Sequence, residues 1–221
     1  MVVAMSALDD LTRAAELAAG GTASAAHAAI EALPWLIRSI DDDRTHGRFS
    51  RWGASSTIDE NTGSPVLPQA LFDALHERAG LSATWPIGNA GLLHCYGYLL
   101  SLAQTPYGLK RERWIGSALA RACGLSDEAF LPWTSGPTLL ARAEAAADGI
   151  RHRATTHRTQ TVDGRRAELF LLDASKSTAL AYAVAPTPPS EPRLVTLFPV
   201  ADAAAIEAEF TTEPRLRWNA V

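Results

Sequence analysis

Between His94 and Trp114 the chain reads HCYGYLLSLAQTPYGLKRERW, and this span gathers many of the groups able to move a proton or hold an anion. His94 stands with Cys95 and Tyr96 in an apolar run, where burial shifts a titratable group from its solution pKa. A turn at Thr105-Pro106-Tyr107-Gly108 then leads into Lys110, Arg111, Glu112 and Arg113. A guanidinium pair here suits a substrate carboxylate, with His94 or Glu112 as general base and Tyr107 or Tyr96 as proton donor. If the apolar element and the following helix form a hairpin, Tyr107, Lys110 and Glu112 meet at the turn. His94 lies further down and needs the fold to reach them.

Lys110 stands out for a compositional reason. Lys110 and Lys176 are the only lysines, so 18 of the 20 basic residues are arginine. Where arginine is the default, a lysine points to its amine, which can lose a proton or form an imine as a guanidinium cannot. Cys95 is a poor nucleophile candidate, because a thiol inside an apolar run has a raised pKa.

Two further stretches carry candidate groups. RHRATTHRTQ, from Arg151 to Gln160, reads as a strand that puts Arg153 and His157 on one polar face. That face could floor an anion-binding cleft, although a charged edge strand that blocks aggregation has the same composition. RFSRWGASST offers Arg51, Ser55 and Ser56 for an anion.

Several chemistries lack their signatures. There is no GxGxxG after a strand, no GxxxxGK[ST], no HExxH, no GxSxG and no SxxK. No two histidines have the four-residue spacing that presents a metal from one helix face, and two cysteines make neither a zinc motif nor a disulfide framework. No metal and no cofactor are expected. The formal net charge of −4 removes the phosphate attraction behind nucleic-acid binding. Asp9, Asp10, Arg13 and Glu16 interrupt the core a signal peptide needs, and the apolar run near 90–103 is too short to span a bilayer. The expectation is a soluble cytoplasmic protein with no membrane partner. A two-fold homodimer is the commonest assembly for such a chain.

The elements that must position these groups follow from period and punctuation. Helices are expected over 6–19, 24–40 with a break or kink at Pro34, 67–80, 110–124 and 138–148. The 92–102 run fits helix or buried strand by pattern, and helix is preferred for its Leu92, Cys95, Leu99 and Leu102 stripe. Residues 41–66 read as polar loop around a short strand, and 186–192 as an extended proline-rich loop. After residue 150 the period changes to four strands, with Asp163-Gly164 as a hairpin signal and a closing helix capped by Asp202. The fold class is α+β, with a largely helical N-terminal two-thirds packed on a C-terminal antiparallel meander of about four strands. One domain over 1–221 is expected: a helical N-terminal segment (1–40), a mainly helical part (41–149), and the sheet with its closing helix (150–221).

These readings combine into a small cofactor-independent enzyme that performs a lyase, cyclase or hydrolase step on a small carboxylate-bearing metabolite. His94, Glu112, Lys110 and Tyr107 would be catalytic. Arg111, Arg113, Tyr96, Arg153, His157 and Arg51 would bind the anionic substrate. The alternative is a non-catalytic small-molecule-binding or protein-interaction domain. Replacing Lys110 by Arg separates two roles: full activity of Lys110→Arg removes any imine or proton-transfer role, and loss of activity with charge retained supports one.

Overall fold

The architecture changes where the hydrophobic period changes. The computed structural model describes residues 2–174, 177–186, 191–212 and 216. Among them the N-terminal part is helical: α1 (Val2–Ala18), α2 (Ala23–Glu31), α3 (Pro34–Thr45) and α4 (Gln69–Ala79), followed by α5 (Ala90–Cys95), α6 (Glu112–Ile115), α7 (Ala118–Ala122) and α8 (Leu139–Arg153). Two small antiparallel pairs interrupt this series, β1 (Ala54–Ser56) with β2 (Ile87–Asn89) and β3 (Gln104–Thr105) with β4 (Gly108–Leu109). The C-terminal part is an antiparallel meander of β5 (Thr156–Val162), β6 (Arg165–Ala174), β7 (Ser177–Pro186) and β8 (Arg193–Val200), closed by α9 (Ala203–Thr212). The fold is α+β.

Local chemistry accounts for most of the boundaries. Pro34 occupies the first turn of α3, where its missing N–H costs nothing, so the expected long helix is divided there. Gly80 ends α4 in the left-handed conformation, and Asp202 Oδ1 accepts the Ala205 N–H at 2.9 Å to cap α9. Asp163 and Gly164 both have positive φ, 49° and 70°, in a two-residue turn between the paired Val162 and Arg165. That backbone twist matches the twist of the flanking strands.

The central strands β6 and β7 are buried on both faces, whereas β5 is largely exposed. Register places Phe170 and Tyr182 on opposite sides, since Leu169 is the partner of Tyr182 and Ala181 that of Phe170. Arg151 of α8 lies over the Phe170 ring at 5.4 Å, whereas Tyr182 meets Phe210 of α9 with centroids 6.4 Å apart. Helices on both sides explain why β6 and β7 read as continuous apolar runs rather than as alternation. The outer edge of β8 is covered in part by the segment after a 3-10 turn (Arg48–Arg51). Trp52 forms a parallel bridge to Leu194, and the Gly53 N–H donates to the Leu194 carbonyl at 2.9 Å.

Several expectations are corrected. α1 starts at Val2, four residues before the expected start at residue 6. α3 runs through Asp41, Asp42 and Asp43 into what reads as loop. The 110–124 stretch is two short helices, broken at Gly116, where a Cβ would lie 2.5 Å from the Glu112 carbonyl oxygen. The 92–102 run is α5 followed by a 3-10 turn (Gly97–Leu100), and Leu102 is exposed. The largest change concerns α8, which extends to Arg153. Arg151, His152 and Arg153 therefore form the last turn of a helix, where cations favour the macrodipole, and do not open a strand. His152 and Arg153 bond the carbonyls one turn back, Asp148 and Gly149. Arg153 and His157 accordingly do not share a strand face. Of 186–192, residues 187–190 lie outside the described residues.

Gly91 on α5 packs directly under the Trp52 ring, and a Cβ there would meet Trp52 Cγ at 2.6 Å. In an open helix Gly→Ala stabilises by roughly 0.5–1 kcal/mol. Here overpacking by about 1–3 kcal/mol outweighs that gain. Gly91→Ala should therefore lower stability in urea unfolding, and an increase would contradict this packing.

Candidate functional site

The structure brings together three of the residues expected to do chemistry, around the ring of Tyr98. His94 stacks against it with centroids 4.8 Å apart, while Lys110 Nζ and the Arg113 guanidinium lie 5.7 and 5.6 Å from its centre. α5 carries His94, the β3–β4 hairpin leads to Lys110, and α6 carries Arg113. Trp114 Nε1 donates to the His94 carbonyl at 2.6 Å and so ties α6 to α5.

Each group is already committed to some degree. His94 Nε2 is 3.1 Å from Ser55 Oγ on β1, and its Nδ1 lies toward the Val195 backbone without a well-formed hydrogen bond. Burial, followed by the charges of Arg113 and Lys110, holds its pKa well below the ordinary histidine value, so the imidazole is neutral. Lys110 is in a short ion pair, 2.5 Å from Asp59 Oδ2. Burial pushes the Asp59 carboxyl up, but the Lys110 bond and charge and the Asn61 and Thr62 N–H groups override it, and the net shift is downward. Burial drives the Tyr98 phenol up to about 12. Arg113 Nη1 donates to Thr196 Oγ1 at 3.0 Å.

The remaining candidates are dispersed. Tyr107 sits at the tip of the β3–β4 hairpin and is 82% exposed, and Glu112 is exposed. Arg111 reaches Thr12 of α1 at 3.4 Å. Tyr96 is fully buried and donates to Asp43, which also accepts from Thr138 Oγ1 at 2.5 Å and Arg48 Nη1 at 3.0 Å. Burial raises the Asp43 carboxyl and drives the Tyr96 phenol well above its usual range. Arg153 donates to the Cys123 carbonyl at 3.1 Å, and His157 stacks on Phe170 at 4.3 Å beside Glu168. Cys95 is buried with a pKa driven well upward by burial.

Of the expected residues, Arg51 alone lines a cleft of about 870 Å³ bounded by the Ser50–Ala54 segment, the β2 region, α8 and one end of the sheet. Arg51 bridges Glu144 and Asp148, each at 3.2 Å, and Arg151 lies 3.8 Å from Asp148. Glu144 also accepts Trp52 Nε1 at 3.0 Å. Burial raises its carboxyl pKa, and the Arg51 charge and the Trp52 bond only partly offset this. Arg165 and Arg193 line the cleft too, and neither has an ion-pair partner among the described residues. Leu81, Val184, Leu194 and Val195 add apolar wall. The Tyr98 cluster lies just behind: Val195 lines the cleft and precedes Thr196, and Ala54 lines it and precedes Ser55.

Glu144, Arg165 and Arg193 were not singled out from the sequence. Glu144 sits in an Ala-rich helix as RAEAAAD, which reads as an ordinary solvated face, and only its pairing with distant Trp52 and Arg51 marks it. Comparisons with protein-family models, curated proteins and solved structures gave no match. Among the described residues, no group of three or more His, Cys, Asp or Glu is placed to hold a metal ion, and no helix is long and apolar enough to cross a membrane.

A histidine whose folded pKa is depressed contributes stability that is present above its unfolded pKa, near 6.5, and is lost as pH falls below that value. Asp43 and Glu144, raised in the fold, act in the opposite sense. Comparing the wild type with His94→Gln isolates the histidine. Between pH 7.5 and 5 the melting temperature of the wild type should fall more steeply than that of the variant, and parallel curves would contradict a neutral buried His94.

Proposed function

We propose that the protein acts on a small carboxylate-bearing metabolite held in the 870 Å³ cleft, with Glu144 moving the proton. The observation that carries this reading is the meeting, in one cavity, of a carboxyl raised by burial and two arginines without acidic partners. Arg165 and Arg193 supply the fork geometry that recognises a carboxylate, and the leucine and valine walls suit an apolar body. A carboxyl whose pKa is raised above its usual range is a stronger proton acceptor than a free one, as an acid–base step in a lyase, cyclase or hydrolase requires. His94, Lys110 and Arg113 stand behind the cleft wall, where their part is to position Ser55, Asp59 and Thr196. The protein is proposed to work in the cytoplasm without a cofactor, and as a homodimer.

One observation favours a second reading, a binding protein without turnover. Both Glu144 oxygens already accept hydrogen bonds, from Trp52 and Arg51. The two readings separate on a panel of mono- and dicarboxylic acids screened by thermal shift, with turnover of each stabilising acid followed by NMR. The enzyme reading expects wild-type turnover that falls by roughly 10²–10⁴ in Glu144→Gln with binding retained. It also expects about tenfold weaker binding in Arg165→Gln and in Arg193→Gln. Binding without turnover selects the second reading. A panel in which no carboxylate stabilises the protein overturns both.

A further inference from the structure

We propose that Arg113 forms a second binding site, separate from the cleft, that takes one small monoanion, a carboxylate or a halide. The guanidinium is wedged between two aromatic rings, 5.6 Å from the centre of Tyr98 and 5.7 Å from that of Phe198. It has five N–H donors, and its bond to Thr196 Oγ1 is the one side-chain hydrogen bond it makes among the described residues. No carboxylate pairs with it among those residues. The nearby acid, Asp59, is spent on Lys110 and on the Asn61 and Thr62 N–H groups.

Charge balance then decides what belongs in the slot. Lys110 and Asp59 cancel, and His94 behind Tyr98 is neutral, which leaves the single positive charge of Arg113 in a largely desolvated setting. Aromatic faces attract a cation but do not replace the counter-ion that a buried charge requires. Arg113 retains partial exposure, so a small ion can reach it. The remaining fork N–H groups suit a carboxylate, and one unit of charge suits any monoanion of that size.

The test compares melting temperatures of the wild type, Arg113→Met and Arg113→Lys in sodium acetate, sodium bromide and sodium HEPES at equal ionic strength. The wild type should melt higher in acetate than in HEPES, as expected when an ion binds only the folded state. Arg113→Met should lose that difference and, in HEPES, melt at or above the wild type, because an uncompensated charge has been removed. Arg113→Lys should keep part of the shift. Equal effects of bromide and acetate would assign the slot to any small monoanion, and an acetate effect alone would assign it to carboxylates. The proposal is overturned if Arg113→Met keeps the full anion shift, if the wild type shows none, or if Arg113→Met is destabilised equally in all three salts. Because acetate also suits the cleft arginines, the series is run in an Arg165→Gln/Arg193→Gln background, so that a shift is read at Arg113 alone and failure here leaves the reading of the cleft standing.

Discussion

The cleft depends on one buried carboxylate. Glu144 of α8 accepts hydrogen bonds from Trp52 and Arg51, residues far away in sequence, and so fixes the Ser50–Ala54 segment to the helix that packs on the sheet. Trp52 in turn bridges Leu194 on the edge of β8 and fills the space above Gly91. Together with the Gly53 N–H bond to the Leu194 carbonyl, this link holds the segment along β8 as one wall of the cavity. Removing one partner of such a buried set is costly, because the other polar groups are left desolvated and unpaired.

A second buried carboxylate repeats the device in the helical half. Asp43 of α3 gathers Arg48, Tyr96 and the Thr138 hydroxyl, and Thr138 is itself the N-cap of α8. The start of α8 is therefore set by Asp43 and its middle by Glu144. Both carboxyls have raised pKa values for the same reason, burial outweighing the hydrogen bonds they accept. What distinguishes them chemically is access, since Asp43 is sealed and Glu144 lines a cavity.

The fold was legible from the sequence to the extent that local rules decide it. Pro34, Gly80, Asp163-Gly164 and Asp202 act on their own neighbours, and each marks its boundary in the structure. The end of α8 is not legible locally because Arg151, His152 and Arg153 are polar in either conformation, and the helix is decided by packing on β6 and by the carbonyls one turn back. The candidate site was legible only in part. The expected meeting of Tyr107, Lys110 and Glu112 at a turn does not occur, since Tyr107 and Glu112 face outward, and His94, Lys110 and Arg113 gather instead around Tyr98, a residue no local pattern marked. The compositional signal at Lys110 has a structural explanation in its pairing with Asp59, a residue 51 positions earlier that no local pattern connects to it. Glu144 was invisible because its meaning comes from partners more than 90 positions away.

Placing proton transfer at Glu144 rather than His94 follows from the same physics. Burial disfavours charge on both groups, which raises the proton affinity of an acid and lowers that of a histidine. Only the acid opens on a cavity with unpaired arginines. The most direct measurement is a crystal structure of the protein with the carboxylic acid that stabilises it best. The account predicts a carboxylate bound by Arg165 or Arg193 with its reactive end at Glu144. Density for the acid at a site remote from this cleft, with the cleft unaltered, would contradict it.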